Sequence, residues 1–445
     1  KLLVSFSVLF AQFGSLGFNS VLNRLFPYFR DHKNKHKGFI SFAMLISFVG
    51  FFLTTIAFYL YKPTLIENNK ENSALLIEYA FLITPLIFAT LFFNLFDTYN
   101  KVLYDTLLGT FLKEFLQRVL ILISVGLYFF GILNIDHFVF AYVISFFIPT
   151  IILVYVLYRR GNLTLKFKKE AFSRKLYKEM SIVSLYGFIA GLGGLAVINI
   201  DSLLVNKFLG ISMTGIYATT FYFGTLVLIP SRPLIKISTA ILADSWKEKN
   251  IDNIKLVYVK SCINQSIIGL LILVGLWINI DNIFHILPKE FEAGKYVIFF
   301  IALANVFEMS SGVSSMVIGT SIHFRLNSIF IFFFFLLIIG FNFIFIPLFG
   351  LTGAAIATAV SRFIYVIFRY LFLKIKFKFE PYNYKYLILL GITFLSYLSA
   401  YWIPEFKHFI LDIAVRSLVV LISYIALILI FGISQDVNKI YKDLI

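Results

Sequence analysis

Ionisable side chains inside long apolar stretches are the residues of this chain most able to do chemistry. Those that stand within or at the edges of such stretches are Glu78, Asp97, Glu308, Arg362, Asp412 and Arg416, with Arg24, Asp201, Arg232 and Arg325 at stretch ends. Charges of this kind are costly in lipid, so they usually face a helix-bundle interior or a water-filled path. Asn94 and Asp97 stand three residues apart, as do Asn305 and Glu308, and that spacing puts each pair on one helix face. An amide beside a carboxylate is a candidate for binding a coupling proton or Na⁺. The competing readings are structural: Asp97 solvated or paired with Lys101, and Glu308 in a helix whose Ser and Gly residues serve close packing.

Other chemistries are poorly supported. A single cysteine, Cys262, excludes intrachain disulfides and a Cys-rich metal site. His32 and His36 stand four apart in a basic loop with no Cys or Glu beside them, so no metal and no cofactor is expected. No Walker loop, zincin motif or nucleophile elbow is present, and no outside loop exceeds about fifteen residues, so no catalytic residues are assigned and an enzyme is not expected.

The elements that must position these groups follow from composition. Of 445 residues, 60% are hydrophobic and 14% charged, with 55 Phe, against roughly 25% charged in soluble domains. That excludes a soluble enzyme, a disordered chain and a nucleic-acid-binding domain. Thirteen apolar stretches run over about 2–22, 38–61, 77–99, 119–133, 138–158, 181–200, 215–230, 262–280, 296–318, 328–346, 353–372, 386–403 and 409–433. The expected fold is an all-α polytopic membrane protein of thirteen spanning helices. The loops alternate in charge. Loops 23–37, 100–118, 159–180, 231–261, 319–327, 373–385 and 434–445 hold 29 Lys and Arg, and the opposite set holds 6. By the positive-inside rule the first set, with the C-terminus, is cytoplasmic. The formal charge of +16 is then mainly an insertion signal. A first apolar run that starts outside, without a basic leader, predicts a further helix ahead of residue 1, hence fourteen spans in the intact protein.

The basic loop 159–180 divides the chain into an N-terminal bundle, 1–158, and a C-terminal bundle, 181–372, followed by two additional helices and a short tail over 373–445. Weak self-similarity between 125–160 and the stretch from Ile339 gives an offset of 214, and Arg24 recurs as Arg232 at 208, each near proline. Two pseudo-symmetric bundles are expected, with the substrate path as a central cavity between them.

Four segments carry a family resemblance: GFNSVLNRLFPYFRD from Gly17, INIDSLLVNKFLGISMTGIYATTFYF from Ile198, ILPKEFEAGKYVIFFIALANVF from Ile286 and IPLFGLTGAAIATAVSRF from Ile346. In this order they resemble marks of Wzx-type polysaccharide flippases, in the superfamily that also holds MATE exporters and lipid II flippases. The resemblance implies movement of undecaprenyl-diphosphate-linked oligosaccharides across the inner membrane by alternating access. It implies as partners that substrate, membrane lipids and polymerase and chain-length proteins of the same pathway. A diphosphate needs cations, and Arg24, Arg232, Arg362 and Arg325 are the candidates. Their competing readings are positive-inside anchoring for Arg24 and Arg232, snorkelling for Arg362 and a plain loop charge for Arg325. Asp201 matches the D-x-L-L mark, with helix capping as the alternative. The runner-up function is an H⁺- or Na⁺-coupled multidrug exporter; a membrane-embedded polymerase or glycosyltransferase comes third, lacking a sizeable outside loop.

Overall fold

A computed structural model describes residues 2–31, 35–69, 78–164, 173–404, 406 and 408–444. His32 and the middle of the basic loop, 165–172, lie outside the described residues. The described chain is all helical, as its composition requires: in lipid every backbone polar group must be satisfied within the segment, and a helix does so. Among the described residues seven helices are long and apolar enough to cross a membrane, or eight if the bent pair Ser212–Leu228 and Ser231–Lys247 is one span. This is a multi-pass membrane protein.

Several apolar stretches fall on broken or merged helices, which is why fewer than thirteen single helices qualify. The first is split into Leu2–Gly14 and Phe18–Leu25, and the sixth and seventh merge in Arg174–Thr225. The tenth and eleventh merge in Phe324–Phe377, whose 54 residues would extend about 80 Å if straight, more than twice the roughly 30 Å hydrocarbon core. That run breaks at Gly350, whose φ of 58° reverses the chain where side-chain-bearing residues would be strained.

Two expected loops are helical instead. Residues 201–214 continue the helix Arg174–Thr225 up to a break at Gly210, φ 86°, so Asp201 lies inside a helix and not at its cap. The basic segment 231–261 contains the helix Ser231–Lys247 and the first turns of Ile251–Ile278. Both segments lie between apolar stretches and so read as connections, but a helix can carry their few charges on a polar face or in buried pairs.

The chain divides into two compact units: 1–195 with 236–249 and 319–328, and 196–235 with 250–318 and 329–445. The division falls within the helix Arg174–Thr225, and the last two apolar helices belong to the second unit. In the first unit Ile83–Val102 is central, packed by Leu2–Gly14, Phe39–Asn69 and Ile135–Arg159. Its core is unusually aromatic. Phe26, Phe39 and Tyr99 are fully buried, and Phe26 meets Tyr99 edge to face at 5.4 Å. In the second unit Ile251–Ile278 packs on Lys295–Ser310, Lys385–Tyr401 and Phe409–Ile430.

Candidate functional site

A buried charge cluster of the second unit joins two helices distant in sequence. Glu308 lies near the end of Lys295–Ser310, and Arg362 and Arg369 lie on the second half of Phe324–Phe377. Seven residues is two helical turns, so both arginines share one face. Arg369 Nη2 donates to Glu308 Oε2 at 2.8 Å and to Ser311 Oγ at 3.1 Å. Arg362 Nη1 reaches the same Oε2 at 3.5 Å, the limit of a hydrogen bond.

Burial separates the two cations. The Arg369 side chain is 1% exposed and stacks over the Tyr365 ring at 4.2 Å, whereas that of Arg362 is 18% exposed and lies over Phe334 at 4.9 Å. One carboxylate serves two guanidinium groups, which leaves one net positive charge among apolar helices. The Nε of each arginine is buried without a hydrogen-bond partner. Arg369 is therefore the fixed counter-charge, and Arg362 keeps donors that an arriving anion could engage. Glu308, expected as an acidic or ion-coupling residue, stands as the counter-ion of this pair.

Asp201 anchors a second buried network. Its Oδ1 accepts from Asn342 Nδ2 at 2.9 Å, and its Oδ2 accepts from Thr358 Oγ1 at 2.5 Å and Tyr217 OH at 3.2 Å. The network ties the two sides of each broken helix, Asp201 and Tyr217 before and after Gly210, and Asn342 and Thr358 before and after Gly350. The capping alternative for Asp201 is thereby corrected: its oxygens accept from the side chains of Tyr217, Asn342 and Thr358 and not from a helix-end amide.

The remaining candidates separate. In the first unit Asp97 takes both its oxygens to Lys236 Nζ, at 3.1 and 2.9 Å, while Asn94 Oδ1 lies 3.4 Å from Lys113 Nζ. The shared face of Asn94 and Asp97 thus serves two different lysines, and an ammonium occupies the place where a proton or Na⁺ was expected on Asp97. Arg24 is 3.8 Å from Glu179 and sits 4.0 Å over the Phe324 ring, and Arg325 is exposed beside Tyr186. Arg232, in the second unit, is exposed in the first turn of Ser231–Lys247. The repeat expectation set Arg24 and Arg232 as equivalents, yet Arg24 occupies the last turn of its helix and Arg232 the first turn of another.

Sequence reasoning missed Arg369 and Lys236. The signal for Arg369 was its i+7 spacing from Arg362; nothing local marks Lys236 as the partner of Asp97. Among the described residues no group of three or more His, Cys, Asp or Glu could hold a metal ion.

The family model described as polysaccharide biosynthesis protein matches residues 1–242, more than half of the chain. The chain belongs to that family. No curated protein matches it. Solved structures of the same fold include an outward-facing MATE multidrug-resistance transporter of the MOP superfamily, with TM-score 0.69, 15% identity, and 84% of this chain and 85% of that one covered. A MOP superfamily transporter from Pyrococcus furiosus gives 0.65 at 13% identity over 84% and 85%, and a MATE transporter in the straight conformation 0.63 at 14% over the same shares. At these identities the likeness concerns the fold: this member of the polysaccharide biosynthesis family is folded as the MATE transporters are.

Proposed function

We propose that this chain is a flippase that carries undecaprenyl-diphosphate-linked oligosaccharide units across the inner membrane by alternating access, for O-antigen, capsule or exopolysaccharide export. The observation that carries the reading is the surplus cation of the Glu308–Arg362–Arg369 cluster. A guanidinium held at hydrogen-bond limit from its carboxylate exchanges that partner readily for a phosphate oxygen, which it can bind through two parallel N–H donors. Each bound negative charge also feels about 2.3 kcal/mol per 100 mV, so a diphosphate makes the cycle sensitive to membrane potential. The basic-residue count supports a cytoplasmic C-terminus under this reading. The polymerase and chain-length proteins of the same export route are the partners it implies.

A drug–cation exporter is the second reading, favoured by the MATE fold of the solved neighbours. A positive cluster opposes cationic drugs. For the Pyrococcus furiosus transporter, a reverse polarity of the binding pocket suggests a different function, so this fold carries pockets of more than one polarity.

The test is polymer export in a strain lacking its own flippase. Arg362→Gln is expected to abolish export and Arg362→Lys to restore part of it, because a lysine keeps the charge without the fork. Full export by Arg362→Gln at normal protein level overturns the assignment.

A further inference from the structure

The second unit holds a cavity of about 730 Å³ that the charge cluster does not use. It lies at the end of the unit built by the close of Ile251–Ile278, the helix Ile280–Ile286, the close of Lys385–Tyr401 and the start of Phe409–Ile430. The connecting segments at that end belong to the set that the sequence shows to be poor in basic residues, which puts the cavity on the outer side. Its volume falls in the roughly 300–1,000 Å³ range of small-molecule sites.

Its chemistry is specific. Five aromatic side chains, Trp277, Tyr397, Tyr401, Phe406 and Phe409, line it, and the two tyrosine rings stack at 5.8 Å with an interplanar angle of 29°. Four charges line it too, and they cancel in two pairs. Lys295 bonds Asp281, and Arg416 Nε donates to Asp412 Oδ2 at 2.8 Å. Asp412 is further fixed by Asn282 Nδ2 at 2.5 Å and the Phe406 amide at 3.2 Å, and Arg416 donates to the Ala400 and Ile403 carbonyls. The inner pair is thus a rigid floor with its charge spent internally, and the rings form the walls. A pocket with no net charge, aromatic walls and a polar edge fits a neutral, hydroxyl-rich ligand with apolar C–H faces. Sugar rings have that combination. An anion or a cation would find each opposite charge already paired.

We infer that this outer cavity is a glycan site, binding two or three neutral sugar residues on the face where the translocated oligosaccharide emerges. The presence of a glycan there rests on the flippase reading; the recognition chemistry does not. Tyr401, 60% exposed and so removable at little cost to folding, is the stacking residue whose loss reads the site.

The test uses the full chain in lipid nanodiscs, titrated calorimetrically with maltotriose, triacetylchitotriose and lacto-N-triose, and with inorganic diphosphate. Saturable binding of at least one trisaccharide is expected, weakened at least about fivefold by Tyr401→Ala and less than twofold by Tyr401→Phe, since a lost ring stack is worth about 1 kcal/mol. No saturable response to any of the three, equal binding by Tyr401→Ala, or displacement of the sugar by diphosphate overturns the inference. Export in the flippase-null strain is scored separately, so a failed flippase assignment leaves trisaccharide binding intact and the two failures are told apart.

Discussion

Arg369 Nη2 and Glu308 Oε2 stand 2.8 Å apart although sixty-one residues separate them, and the guanidinium is almost completely withdrawn from solvent. A buried pair of this kind adds little net stability, because desolvation offsets attraction, but removing one partner strands the other. Glu308→Gln leaves two guanidinium groups without a carboxylate. It is expected to cost about 3 kcal/mol, seen as a lower unfolding midpoint of the purified protein. Arg362→Gln should cost much less, since its contact to Glu308 is 3.5 Å and Arg369 still neutralises the acid. Equal losses in the two variants would contradict the division of roles between the arginines.

Asp97 and Lys236 form the corresponding pair of the first unit, with side chains 16% and 23% exposed. Were Asp97 an ion-coupling acid, Asp97→Asn alone would stop export whatever Lys236 does. As a structural pair, Lys236→Met should lower the unfolding midpoint by stranding the carboxylate, and the double variant Asp97→Asn with Lys236→Met should recover most of it. A double-mutant cycle on midpoints gives the coupling, expected at roughly 1–3 kcal/mol for contacting residues. Additive losses would return Asp97 to the list of coupling residues.

Helix crossing in the first unit depends on two glycines. A Cβ on Gly50 would lie 1.9 Å from the Gly14 carbonyl oxygen, so Gly50→Ala must push Phe39–Asn69 away from Leu2–Gly14. Its yield of monodisperse protein on gel filtration should fall sharply. Gly126, within Gln117–Phe129, has nothing within 4 Å of its would-be Cβ. Gly126→Ala should be neutral or stabilising by up to about 1 kcal/mol through helix propensity. A normal yield for Gly50→Ala would show that this crossing is looser than the geometry says.

Acid should release the C-terminal helix Gln435–Leu444. Asp436 accepts from Lys260 Nζ at 2.5 Å and Asn264 Nδ2 at 2.9 Å, and the bond from Lys260 holds its carboxyl below the usual range. A depressed carboxyl contributes stability that is present above its unfolded pKa of about 3.9 and is lost as pH falls through the lower folded value. A nitroxide at Lys439→Cys should therefore stay immobile from neutral pH down to about 4 and become mobile only in stronger acid. With Asp436→Asn added it should be mobile throughout. A label already mobile at neutral pH in the single variant would dismiss the tether.

The amino-acid sequence alone determined the helical class, the apolar segments and the family, because hydropathy and composition act over twenty residues at a time and lipid tolerates little else. It also singled out Glu308, Arg362, Asp201 and Asp97 as costly charges, since a charge in an apolar run is conspicuous locally. Which group each one meets was decided only by the tertiary structure. Arg369 answers Glu308, Lys236 answers Asp97, and Asn342 and Thr358 answer Asp201, all across helices that are far apart along the chain. Two expected loops failed for a related reason: a place between apolar stretches marks 201–214 and 231–261 as connections but does not set their backbone conformation, and an amphipathic or buried-paired helix accommodates such residues as well as a loop does. Periodicity along one segment carries no information about the azimuth at which it meets another. The pairing of charges depends on that azimuth, and helix crossing sets it.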